Sequence, residues 1–206
     1  MSNEIHKLFE SKKVSDIRKG AKLLQKSFEP NLEYATVTAF ENQLNKSNSW
    51  ETIVELIKAI GVNHYKSANT LIKEIVNRNE EYDTITIFAA RSYVQLNRNT
   101  LEDISPILEV MNECKYSLGY GMLDALGYDK MMPKKDEIIV LIKRFWSFYE
   151  IREDGLSDPR YGLAAACAGW DKEIVRDFLN HCIATGDVPL KYVSENSLKG
   201  KYVKLR

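Results

Sequence analysis

Three histidines, three cysteines and a scatter of carboxylates are the residues of this chain that could do chemistry. His6, His64 and His181 stand far apart. A helical zinc site needs two histidines one turn apart, and no HxxxH or HExxH pair occurs. His181 and Cys182 are neighbours, but consecutive residues on a helix point about 100° apart, so they do not converge on one ion. Cys167 lies in an alanine-rich stretch and Cys182 in the next apolar one. Both read as small core residues, with no base placed by sequence to ionise them. Gly119-Tyr120-Gly121 lacks the third glycine and the preceding strand of a dinucleotide cradle. No Gly-x-Ser-x-Gly elbow occurs. Adjacent carboxylates are common, as at Glu80-Glu81-Asp83, Glu102-Asp103, Asp136-Glu137 and Glu153-Asp154. Helix starts attract acids through the macrodipole and loops solvate them, so these pairs read as structural. The expectation is a chain with no catalytic residue, no metal and no cofactor.

What remains is surface recognition. Basic and acidic residues number 29 each, which argues against a general nucleic-acid coat or a polybasic membrane binder. The charge is nonetheless graded. Residues 1–47 carry a net +2, residues 48–130 a net −4, residues 131–189 a net −2 and residues 190–206 a net +4. An acidic middle that includes Glu102, Asp103 and Glu109 is suited to a basic partner. Two aromatic groups stand beside cations: Arg144-Phe145-Trp146-Ser147-Phe148-Tyr149, then Arg160-Tyr161 with Trp170-Asp171. Arg144, Trp146, Tyr149, Arg160, Tyr161, Trp170 and Asp171 are therefore candidate binding residues, because Trp, Tyr and Arg dominate interface hot spots. The same aromatics have a second reading as packing between helices. The longest apolar run is far below the roughly 18 residues that cross a bilayer. No apolar segment follows the polar Met1-Ser2-Asn3-Glu4 start, so no secretion signal is expected. Three sparse cysteines do not make a disulfide framework, and a cytoplasmic location is expected.

The elements that must carry these residues are helical. Apolar residues recur at three and four, as in Ile53, Leu56, Ile57, Ile60 and in Ile138, Leu141, Ile142, Phe145. Twelve helices are predicted, near residues 3–11, 14–28, 31–46, 50–61, 64–78, 84–97, 101–113, 116–127, 134–151, 159–169, 172–185 and 189–199. The stretch Thr84-Ile85-Thr86-Ile87 alternates like a strand, but its continuation to Tyr93 favours a β-branched helix. Ser49, Asp158 and Asp187 are predicted N-caps, and Thr100 to Asp103 resembles a capping box. Small-residue or glycine stops at 61, 95, 127, 169 and 200 recur at intervals of 34, 32, 42 and 31 residues. That period is the signature of stacked helical hairpins. The expected fold is all-α, an α-α superhelix, with residues 1–47 as an N-terminal helical cap and 48–206 as a repeat array.

Asp158-Pro-Arg-Tyr-Gly-Leu-Ala-Ala-Ala-Cys-Ala-Gly-Trp-Asp-Lys-Glu-Ile-Val-Arg-Asp-Phe-Leu resembles a hairpin of the HEAT-repeat superfamily. It joins a capped, alanine-rich first helix by a short turn to a second helix with spaced aliphatics. Asp83 to Leu96 with Leu101 to Met111 is a looser copy, and Trp50 to Gly61 with Ser67 to Val76 is a third. The resemblance covers about residues 48–200 and rests on pattern. It implies a curved solenoid that binds a protein partner, as an adaptor, a regulatory subunit or an inhibitor of immunity type, bacterial in style. The alternative comes from the DNA-alkylation-repeat branch, which holds an extruded cationic nucleotide. There Trp146, Trp170, Asp171, Arg144 and Arg160 would play that part, although the acidic middle lacks a basic trough for a duplex.

Overall fold

The computed structural model describes residues 2–46, 49–148 and 156–204. Helices hold 72% of the described residues and no strand occurs among them. Twelve α-helices follow one another: α1 Ser2–Phe9, α2 Val14–Leu24, α3 Glu33–Leu44, α4 Trp50–Asn63, α5 Asn69–Arg78 and α6 Thr84–Asn97, then α7 Ser105–Val110, α8 Tyr116–Tyr128, α9 Lys135–Phe145, α10 Tyr161–Ala166, α11 Lys172–Thr185 and α12 Val188–Leu198. Each predicted helix meets one of them. The alternating stretch from Thr84 is the start of α6, because Asp83 organises it: its carboxylate accepts the backbone N–H of Thr86 at 2.8 Å and that of Ile85 at 3.3 Å.

Two compact units divide the chain, Met1–Asn97 and Arg98–Arg206. In the first, α2 packs on α4 and α4 on α6, which makes one layer. Behind it α1 packs on α2, α3 on α4 and α5 on α6. Leu24, Phe40, Leu56, Ile57, Ile60, Ile72, Ala89 and Val94 are fully buried between the layers. Polar side chains tie each hairpin to the one before. Asn63 donates to the carbonyls of Leu24 and Ala59 at 3.1 Å each, Tyr65 to Glu29 O at 2.6 Å, and Ser92 to Ile57 O at 2.9 Å. In the second unit α8 packs on α10 and α10 on α12, while α11 packs on α12 and on α9.

Several predicted stops and caps have different roles. Gly61 lies inside α4, which ends instead at His64 in the left-handed conformation, φ 55°. His64 Nδ1 is 3.0 Å from Gln95 O, an anchor that offsets the cost of that conformation. Gly61 is needed because a Cβ there would run into Gln95 Oε1 and Ser92 on α6. Ser49 stands before α4, but its hydroxyl turns back to donate to Gln43 O at 2.8 Å and makes no cap bond. Thr100 to Asp103 precedes α7 as turns, and the helix starts only at Ser105, four residues later than predicted. Asp187 does cap α12, accepting from Leu190 N at 2.9 Å. The Asp158 carboxylate accepts the backbone N–H of Arg160 at 3.0 Å, one residue before α10 begins. α8 runs unbroken through Gly119 and Gly121.

Candidate functional site

The predicted surface residues of the second unit are largely committed to the fold. Arg160 is fully buried. Its Nε donates to Asp158 Oδ1 at 3.0 Å, its Nη2 to Asp158 Oδ2 at 2.8 Å and its Nη1 to Trp146 O at 3.0 Å. Trp170 is 4% exposed and donates its indole N–H to Met131 O at 2.8 Å. These two residues are therefore corrected from surface to interior, since neither has a face to offer. Asp171 caps α11 through Glu173 N at 3.0 Å and pairs with Lys135 at 3.0 Å. The hydrogen bond from Lys135 and that from the Glu173 backbone hold its carboxyl below the usual range. Arg144 donates to Met111 O at 3.1 Å and Asn112 O at 3.4 Å, which satisfies carbonyls left open at the end of α7. Trp146 is half-buried and stacks on His181, with ring centroids 4.9 Å apart. Tyr161 is half-buried at the start of α10. Tyr149 lies outside the described residues.

The acidic stretch is likewise engaged. Asp103 Oδ1 accepts from the Ser105 backbone at 3.0 Å and hydroxyl at 2.6 Å; Oδ2 accepts from Asn99 N and Nδ2 at 2.9 Å each. These bonds, led by the Ser105 hydroxyl, lower its carboxyl to about 2. The folded value lies below the unfolded one. The stabilisation is therefore present above the ordinary carboxylate range and lost as pH falls towards about 2. Asp103→Ala is expected to cost about 0.5–2 kcal/mol near neutral pH. Urea titrations at several pH values should find the gap between the two proteins closing in acid; a gap that stays constant would contradict this role. Glu102 and Glu109 are exposed.

Thiol chemistry has no support from the surroundings. Burial pushes Cys114 up to about 11 and Cys167 well above its ordinary value. The three cysteines are buried and none is in a disulfide. Among the described residues no group of three or more His, Cys, Asp or Glu could hold a metal ion, and no helix is long and apolar enough to cross a membrane.

Open features include a cleft of about 410 Å³ lined by Lys143, Arg144, Trp146, Ser147 and Phe148 on the second unit, and a groove of about 260 Å³ on the first unit. Three neighbouring helices of one layer build it. α2 supplies Arg18 and Lys22, α4 supplies Trp50, Glu51, Val54, Glu55 and Lys58, and α6 supplies Thr84 and Phe88. Trp50 is 55% exposed, an unusual state for so large an apolar ring. Beside it Arg18 pairs with Glu51 at 2.5 Å and donates to Thr52 at 3.2 Å. Glu55 accepts from Gln25 at 2.7 Å and from Lys58 at 3.4 Å. The Lys58 ammonium sits 4.2 Å from the Phe88 ring centroid. The walls are thus held by ion pairs and a cation–π contact, while the tryptophan is left to solvent.

No family model matches the chain, and no match is found among curated proteins or among solved structures. Function is argued from the groove of the first unit, where a large ring is left to solvent at the centre of three packed helices.

Sequence reasoning missed this groove. Trp50 precedes the Ile53, Ile57, Ile60 stripe and marks only the start of a helix, with no site reading of its own. On the wheel it falls at the edge of that stripe, between Ile57 and Val54, where a side chain on the first turn can face outward. The usable signal was the polar line Glu51, Glu55, Lys58 on α4 opposite Arg18 and Lys22 on α2, which marks the side of the layer facing solvent.

Proposed function

We propose that this chain is a non-enzymatic protein-interaction module that docks its partner on the α2–α4–α6 groove. The observation that carries the reading is Trp50. A tryptophan more than half exposed, at a groove whose two carboxylates are already paired, is the arrangement of an interface anchor. The layered hairpins support the same reading, because stacked helices give a preformed surface that loses little entropy on binding. A HEAT-like ancestry, and with it an α-α superhelix, is part of this proposal. So is a role as adaptor, regulatory subunit or inhibitor. The cytoplasm is the compartment it assumes, in keeping with three cysteines outside any disulfide.

The acidic middle offers less support for a basic partner than its net charge suggested. Asp103 is spent on Asn99 and Ser105. The alternative of a nucleotide-holding protein loses two of its five residues to the interior, Arg160 and Trp170.

Affinity purification from the native host, with nuclease treatment, tests the reading. The expected result is one stoichiometric protein retained by the wild type and at least roughly tenfold depleted with Trp50→Ala, the loss of a typical hot spot of about 2 kcal/mol. Retention of nucleic acid alone, or a partner insensitive to Trp50→Ala, would overturn it.

A further inference from the structure

We infer that the groove of the first unit takes an acidic protein segment carrying an apolar anchor residue. This rests on the interaction reading above and adds the partner's chemistry.

The argument is charge complementarity around an apolar centre. Inside the groove Arg18, Lys22 and Lys58 stand against Glu51 and Glu55, a surplus of one positive charge. Both carboxylates are paired, Glu51 with Arg18 and Glu55 with Lys58. Lys22 is exposed and makes no ion pair among the described residues. The surplus grows outward along α2. Lys19 is exposed on the helix and Lys26 is exposed in the turn that follows it. Neither makes an ion pair among the described residues. A spacing of three residues puts Lys19 and Lys22 on one side of α2, and Lys26 follows in the turn just beyond the helix. Lys22 in the groove wall, with Lys19 and Lys26 just outside it, thus gives this side of the groove ammonium groups that make no ion pair among the described residues. The centre offers Trp50 and Phe88 to an apolar side chain. A segment with an aromatic or aliphatic residue flanked by Asp or Glu satisfies both, in the manner of a helix or strand laid into a groove.

A single nucleic-acid strand could also stack a base on Trp50. The two groove carboxylates disfavour it. A continuous phosphate line would pass within the reach of Glu51 and Glu55, whereas a peptide places its few charges only where the lysines are.

Selection of displayed random short peptides on the immobilised full chain tests this, run in parallel on Trp50→Ala and on K19E/K22E/K26E. All substituted positions are exposed, and a thermal melt of each variant confirms that it is folded. The expected result is enrichment of peptides with net negative charge and an aromatic or large aliphatic residue. Resynthesised winners should bind Trp50→Ala at least roughly tenfold more weakly. They should lose a similar factor on K19E/K22E/K26E, and affinity should fall as salt is raised. Enrichment of basic or uncharged peptides that Trp50→Ala abolishes would overturn the acidic assignment and leave the groove reading standing. Enrichment untouched by Trp50→Ala, or no enrichment at all, would overturn both. A thymine homopolymer strand that binds more tightly than the winning peptides would also overturn the inference, in favour of nucleic acid.

Discussion

Replacing Arg160 with methionine is expected to destabilise the protein by about 3–5 kcal/mol. The guanidinium is fully buried and Asp158 is 2% exposed. Removing the cation strands a carboxylate in the interior with the Arg160 backbone N–H, at 3.0 Å, as its remaining donor among the described residues. It also frees the Trp146 carbonyl, which accepts from Nη1 at 3.0 Å. The loss should be far smaller in the double variant R160M/D158A, because no charge is then left unpaired. Urea denaturation of the three proteins measures this. A single-variant loss below about 1 kcal/mol, the range of an exposed ion pair, would show that the pair is not buried as described.

The second large effect belongs to Gly162. A Cβ at this position would run into the Leu123 carbonyl and the Asp124 backbone nitrogen. These are main-chain atoms of α8 and cannot swing aside as a side chain end can. Gly162→Ala is therefore expected to push α10 off α8 and to cost about 1–3 kcal/mol, the range for overpacked interiors. In an ordinary helix the same change would stabilise by roughly 1 kcal/mol, since alanine is the better helix former. The sign of the change in thermal midpoint therefore decides the matter. A raised midpoint would mean that α8 and α10 are not in close contact.

These residues also show what the sequence could and could not reveal. The twelve helices were legible because apolar spacing of three and four is a local property of each segment. The cap at Asp187 is local too, whereas Asp171, expected as a binding residue, caps α11. Gly61 was read as a stop because glycine ends helices when only the chain's own backbone is considered. Its reason lies across the layer on α6, in Ser92 and Gln95. His64 ends α4 in a conformation that glycine usually takes, held by a carbonyl 31 residues away. Arg160 looked like a surface cation because arginine usually is one. Only the partner two residues back, folded onto it in both carboxylate oxygens, makes burial tolerable. Trp50 carried no site reading in the sequence, where it marks only the start of a helix; its place on the first turn leaves it 55% exposed. Local patterns thus carried the elements, while the candidate site depended on which helices the fold sets side by side.

The most direct measurement is photo-crosslinking from position 50 inside the native host. Benzoylphenylalanine in place of Trp50 keeps an aromatic anchor on the groove and reacts only with what lies against it. The account predicts a crosslink to one protein, within a segment rich in Asp or Glu around an apolar residue. It also predicts no such crosslink when the same label stands at Tyr82, an equally exposed ring outside the groove. A crosslink to nucleic acid, or none that distinguishes position 50 from position 82, would contradict it.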